Sequence, residues 1–203
     1  MSLLPQHRDY VIVGAGVHGL STAWQLAKEL RARGKGSGAD IIVLDKDGPG
    51  SGASGIACGV VRNFYFQPAM GEVMRVSVQV WEENAEILHY HGVGYLAVVG
   101  PVQQGDLEAI YERQQNSGYR SDLILGEANV YRYMKRLFPD WKARGLTTIL
   151  HEKQGGFAFN TPSVMGLVRL CQQEGVEILS STEVTGFTFD GEAVEGVVTN
   201  RGK

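Results

Sequence analysis

Six residues near the start of the chain, Gly14-Ala15-Gly16-Val17-His18-Gly19, have the types and spacing to cradle a pyrophosphate. Gly14 suits a tight turn, Gly16 leaves room for phosphate to touch the backbone, and Gly19 lets a helix pack closely on a strand. Phosphate at a helix N-terminus meets free N–H groups and the positive end of the helix dipole. The pattern has meaning only between a strand and a helix, and both are expected here. Asp45, in the segment VLDKD, falls where such a site needs an acid to accept hydrogen bonds from a ribose. The interval from the glycines exceeds the usual ~20 residues, and the inserted stretch RARGKGSGA accounts for the excess. An acid rather than an arginine argues against a cofactor with a 2′-phosphate. Strand, glycines, helix and acid agree, against the plainer reading of a glycine-rich turn with no ligand. These residues alone leave FAD and NAD both open.

The elements that must hold these residues are legible in the pattern. Asp9–Val13 is a short apolar run and reads as a buried parallel strand. Val17–Arg33 has Leu20, Ala23, Trp24, Ala27 and Leu30 at helical spacing, and GKGSG ends it. Asp40–Leu44 is a second buried strand, which completes a strand–helix–strand unit. Residues 48–59 (GPGSGASGIACG) carry too much Gly and Ser for a regular element, and Gly59–Arg62 begins a short helix or strand. Residues 68–91 read as one helix with Met70, Val73, Val76, Val80 and Ile87 on a stripe. A strand at Tyr95–Val99, helices at Gln103–Ser117 and Glu127–Arg136, and a strand at Thr147–Gln154 follow. Thr161-Pro162 is the signature of a helix start, with Thr as cap and Pro in the first turn; that helix runs to about Glu174. After a short strand at Val176–Leu179, Val184–Phe189 and Ala193–Thr199 bracket Asp190-Gly191, a hairpin signal.

The second glycine run begins a few residues after Asp45, where a simple NAD-binding domain proceeds to its next helix. Here the chain resembles the D-amino-acid-oxidase-like FAD oxidoreductases, which include glycine oxidase and the sarcosine oxidases. The Val60-Val61-Arg62-Asn63-Phe64-Tyr65 stretch is similar to a segment of sarcosine oxidases, including the β subunit of the heterotetrameric type. The closing STEVTGFTFDGEAVEGVVTNRG is similar to that family's strand pair. The resemblance implies an α/β fold: a Rossmann-like FAD-binding βαβ unit with an inserted α+β substrate-side region. It divides the chain into a first FAD-binding part (1–66), the inserted region (67–160) and a return to the FAD domain (161–203). It implies FAD contacts at Gly14, Ala15, Gly16, Val17, His18, Gly19, Asp45, Lys46, Gly52, Ala53, Ser54, Ala57, Cys58, Gly59, Val60 and Val184. Ser54 falls by the pyrophosphate, Ala57, Cys58 and Gly59 by the ring, and Val184 by the adenine. The Arg62 counterpart contacts a substrate carboxylate, for which a guanidinium is suited; the plainer reading is an ion pair. Family members that attach flavin covalently use histidines where this chain has Ile56 and Asn160, so non-covalent FAD is expected. The family also has a C-terminal half that completes the flavin site, so the chain reads as truncated, with that remainder or a partner chain needed.

Other candidates carry less. His18 reads as a partly exposed helix residue as readily as a neighbour of the phosphates. Cys58 is expected to pack as a small hydrophobe. His89-x-His91 lies at the end of the long helix and lacks a third ligand for a metal site. Tyr131, Tyr133 and Trp141 with Lys135, Arg136 and Arg144 read as a solvated helix face rather than an interface.

Composition bounds the remaining classes. In 203 residues the net charge is only -3, which gives no footprint for nucleic acid or an anionic membrane. No apolar run is long enough to span a bilayer, and MSLLPQHRDY lacks the apolar run of a signal peptide. With Cys58 and Cys171 the only cysteines, reduced thiols and a cytoplasmic location are expected. The resemblance thus implies an FAD-dependent oxidoreductase that passes hydride from the α-carbon of a small amine or amino acid to flavin N5, and electrons on to an acceptor. The alternatives are an assembly or scaffold subunit with structural FAD, and an NAD-dependent dehydrogenase.

Overall fold

A computed structural model describes residues 4–202. β1 (Tyr10–Val13) turns through the glycines into α1 (Val17–Ala32), and a 3₁₀ turn at Gly38–Asp40 leads into β2 (Ile41–Leu44). The second glycine run holds one helical turn, α2 (Ala53–Ile56), where no regular element is expected. β3 (Val60–Val61), α3 (Pro68–Glu83), β4 (Tyr90–His91), β5 (Tyr95–Val99), α4 (Gln104–Asn116), β6 (Ser121–Leu125), α5 (Glu127–Leu137), β7 (Thr148–Glu152) and β8 (Gly156–Ala158) follow. α6 (Asn160–Gln173), β9 (Glu177–Leu179), β10 (Val184–Asp190) and β11 (Ala193–Thr199) complete the chain. Two compact units result. One comprises the chain up to Cys58 with Ile87–His89 and the part from Phe159 onward; the other comprises Gly59–Glu86 and Tyr90–Ala158. Among the described residues no helix is long and apolar enough to cross a membrane.

The first unit is built on a parallel sheet of order β1-β2-β9. β2 is its central strand and every residue of it is buried, as an all-apolar IIVL run requires between two covered faces. α1 packs on the sheet through Leu20, Ala23, Trp24, Ala27 and Leu30, the residues whose spacing predicts that face. α6 contributes Val164, Leu167, Val168, Leu170 and Cys171. The Cys171 thiol donates to Leu20 O at 3.2 Å, and burial pushes it up to about 11. β10 and β11 form the antiparallel hairpin, and Gly191 at its tip has φ +59°, the left-handed conformation that such turns need.

In the second unit β5, β7 and β6 form an antiparallel sheet with β7 at its centre. Alternation divides β7 between two faces. Leu150 meets Leu107 and Ile110 of α4 on one face, and Ile149 meets Val130 and Met134 of α5 on the other. A smaller sheet, β3-β8-β4, closes around Val61, Val78, Tyr90, Tyr119 and Ala158.

Several expectations need correction. The helix expected over 68–91 stops at Glu83, where the Asn84 side chain donates to Val80 O and competes with the next turn. His89 and His91 therefore lie beyond it, His89 at φ +47° and His91 in β4. The helix buries Val78, while Met70, Val73 and Val76 of the expected stripe are exposed. α6 begins at Asn160 with Phe159 as its cap residue, so Thr161 lies inside the helix and caps nothing. The aromatic stretch is only in part a solvated face: Arg136 and Arg144 are exposed, but the aromatic residues are half-buried. Tyr133 and Trp141 pack beside Val130, Met134 and Ile149, and Arg144 stacks 3.6 Å over Tyr131.

Candidate functional site

The glycine turn has the geometry of a backbone cradle. Gly14 takes φ +100°, and its N–H donates to Leu44 O at 2.7 Å, which joins the turn to the end of β2. A Cβ on Gly19 would stand 1.9 Å from Gly14 O, so α1 reaches the turn only because that position has no side chain. A Cβ on Gly16 would meet Ser54 Oγ at 3.0 Å. Ala15 is fully buried, Val17 is half-buried and His18 is exposed.

Asp45 and Ser54 are tied to this turn from two sides. Asp45 Oδ2 accepts the Ala15 N–H at 2.7 Å and Oδ1 accepts the Asp47 N–H at 2.9 Å. A carboxylate offers about four acceptor positions, so lone pairs remain for the hydroxyls of a ribose. Ser54 Oγ accepts the Val17 N–H at 3.0 Å, the first amide of α1. Its own hydroxyl proton stays available to a phosphate oxygen. Gly16, Asp45, Lys46, Gly52, Ala53 and Ser54 line one cleft of about 250 Å³, together with Asp47, Gly50 and Ser51, which the sequence reading did not single out.

Asn160 anchors the second glycine run: its Nδ2 donates to Ala57 O and Gly55 O. Ala57 and Cys58 are exposed, so Cys58 is not the packed small hydrophobe expected, and Ile56 is 87% exposed. The loop gives its backbone to Asn160 and its small side chains to solvent. Val184 packs beside Ile42, Leu44 and Leu179 in the first unit. These residues fit a bound dinucleotide: Gly16 and Gly19 leave the cradle free of side chains, Ser54 supplies a donor, and Asp45 supplies acceptors while repelling a 2′-phosphate.

Gly59, Val60 and Arg62 belong to the second unit, where Gly59 O accepts the Ala158 N–H and Val60 is 46% exposed. Arg62 Nη1 donates to the Tyr95 hydroxyl at 2.7 Å, and the guanidinium lies 5.1–5.8 Å from the Tyr95, Tyr65 and Phe64 rings. Burial works against its charge, but Tyr95 and Tyr65 outweigh burial and hold the group above its ordinary value. Among the described residues it forms no ion pair.

Beside it lies a polar network that the sequence reading missed. Glu152 is fully buried; it accepts the Asn63 N–H at 2.8 Å and Gln114 Nε2 at 2.7 Å, and Tyr119 Oη stands 3.2 Å away. Burial pushes its carboxyl above the usual range, against the pull of those hydrogen bonds and of the nearby Arg62 charge. One signal was available in TILHE: Glu152 shares the phase of buried Leu150, an acid where alternation demands an apolar residue.

The sequence model of the FAD dependent oxidoreductase family, DAO, matches residues 9–203. The chain belongs to this family. It is similar to the sarcosine oxidase subunit beta of Rhizobium meliloti (strain 1021), 28% identical over 201 residues, covering 97% of this chain and 47% of that subunit. The corresponding subunit of Rhodobacter capsulatus is also 28% identical, over 96% of this chain and 46% of its own length. In structure the chain is similar to L-proline dehydrogenase from P. horikoshii, with a TM-score of 0.85 at 24% identity over 98% of this chain and 50% of that one. The chain thus spans about half the length of the relatives it matches. The α/β class and the parallel βαβ unit are those of the family.

Proposed function

We propose that the protein containing this chain is an FAD-dependent oxidoreductase acting on a small amine or amino acid of the sarcosine or glycine type. The observation that carries the substrate class is Arg62, a partly buried guanidinium steadied by Tyr95 and surrounded by aromatic rings, with no carboxylate within ion-pair distance among the described residues. A planar fork of donors in that state suits a substrate carboxylate. The membership in an FAD family and the cradle of Gly14, Gly16, Gly19, Ser54 and Asp45 support the cofactor. In this reading residues 1–66 and 161–203 serve the cofactor, except that Arg62 joins 67–160 on the substrate side.

Bound FAD supplies the hydride acceptor, at flavin N5, for the substrate Cα–H. The work of the chain is to bind and orient. Ser54 donates to the pyrophosphate, the first N–H groups of α1 favour its charge, Asp45 holds the adenosine ribose, and Ala57 and Cys58 present small side chains to the ring. Arg62 takes the substrate carboxylate. The remaining half of a chain of the relatives' length, or a partner chain, completes the site, and a separate acceptor removes the electrons.

Asp45→Ala removes the ribose acceptors and leaves the Ala15 N–H unpaired; FAD is expected to bind about 10- to 100-fold more weakly, read by titrating flavin into the apoprotein. For the whole reading, the complete protein is purified and mixed anaerobically with amines and amino acids. Bleaching of the flavin band by sarcosine or glycine-type substrates is expected, with Arg62→Ala raising KM about 100-fold. Bound flavin that no amine bleaches supports the scaffold alternative and defeats the enzyme, and absence of the flavin band favours the NAD alternative.

A further inference from the structure

Glu152 is fully buried and forms no ion pair among the described residues. Burying an acid carries a large desolvation cost, which hydrogen bonds and protonation offset. Here the hydrogen bonds hold the chain beside Arg62. Oε2 accepts the main-chain N–H of Asn63, the residue after Arg62, at 2.8 Å. The other end of Arg62 is held by the Tyr95 hydroxyl at 2.7 Å. Tyr95 and Glu152 are direct partners across the β5–β7 register, so their side chains share the face of the sheet that α4 covers. The backbone and the guanidinium of one arginine are thus fastened to two opposed residues of one sheet. Gln114 of α4 donates to Oε1 at 2.7 Å and fixes the carboxyl rotamer. The Asn63 side chain donates to Gly71 O at 2.6 Å, which ties the same peptide to the first turns of α3.

We propose that Glu152 is a positioning residue, which sets the place of Arg62 as receiver of the substrate carboxylate; this rests on the role given to Arg62 above. Arginine has a long, rotamer-rich stem, and its fork selects a carboxylate only when that stem is held. The hydrogen bond to Asn63 does the positioning, so an acceptor suffices and the charge is dispensable.

The test uses the complete, flavin-loaded protein and two substrates, an amino acid that it oxidises and the carboxamide of that amino acid. Glu152→Ala is expected to raise KM for the acid about tenfold, with kcat within about twofold and KM for the amide unchanged. Glu152→Gln, which keeps the acceptor, is expected to restore the preference for the acid. Gln114→Leu keeps the carboxyl and frees its rotamer; a rise of about threefold in KM for the acid is expected, and this decides the matter if Glu152→Ala does not fold. Equal losses for acid and amide, or an unchanged acid preference in the folded Glu152→Ala variant, overturn the proposal. Arg62→Ala separates the two levels. If it leaves the acid preference intact, the reading of Arg62 fails. If it abolishes the preference while Glu152→Ala and Gln114→Leu do not change it, only the role of Glu152 fails.

Discussion

Gly19→Ala is expected to lower the stability of the first unit by about 3 kcal/mol and to abolish flavin binding. The added Cβ would stand 1.9 Å from Gly14 O and 3.1 Å from its carbonyl carbon. Alanine in a helix normally gains about 1 kcal/mol over glycine, so propensity alone predicts the opposite sign. The steric effect wins because the obstructing atoms are backbone, and the Gly14 N–H is bonded to Leu44 O at the end of β2. Relief requires α1 to move away from the turn, which opens the cradle. Gly16→Ala is the informative contrast. Its Cβ would meet only the Ser54 hydroxyl, at 3.0 Å, which can rotate away. That variant is expected to keep its melting temperature within a few degrees and still lose flavin. Melting temperature and the flavin absorbance of the two purified variants check both; a Gly19→Ala protein with ordinary stability and flavin content contradicts the close-packing account.

Glu152→Ala is expected to cost about 3–5 kcal/mol, because it leaves the Asn63 N–H and the Gln114 amide buried without their acceptor. Glu152→Gln is expected to do the reverse at neutral pH. The raised folded-state value of Glu152 means that the fold prefers the protonated acid. Geometry agrees: the Tyr119 hydroxyl has one proton, and Gln154 O at 2.8 Å is a nearer acceptor than Glu152 at 3.2 Å. A proton on Glu152 satisfies the second contact. Below the ordinary glutamate value, about 4.3, this preference contributes its full stability. The contribution is lost as pH rises through the higher folded value. Stability should therefore fall across that window in the unaltered protein, and Glu152→Gln should remove this part of the slope and melt higher at neutral pH. Thermal melts of the two proteins from about pH 4 to pH 8 give the difference; parallel curves show that Glu152 is ionised in the fold at no cost.

Several features decided within a few neighbours were legible in the sequence, although the local stop of α3 at Asn84 and the start of α6 at Asn160 were not. The glycine turn needs φ +100° at Gly14 and no side chain at Gly19, and residue types alone state both requirements. The hairpin about Asp190-Gly191, the bounds of β5 and the buried face of α1 follow from turn chemistry and periodicity in the same way. Asp45 was legible because a strand end is a fixed address beside the turn.

The strands that were missed, and the covered side of α3, depend on distant partners. β4 and β8 have two and three residues each, and they exist because Tyr90 and Val60 pair with Ala158 and Phe157. β6 became a strand through its register with β7. Periodicity marked an apolar stripe on α3 but not which side would be covered, and burial fell on Val78. Glu152 makes the point most sharply. In the chain it is one acid among 22 acidic residues. Its character comes from desolvation and from donors on Asn63 and Gln114, 89 and 38 positions away. Residue types and local spacing determined the cofactor cradle; only tertiary packing decided which acid is buried, because burial is set by residues that sequence distance separates.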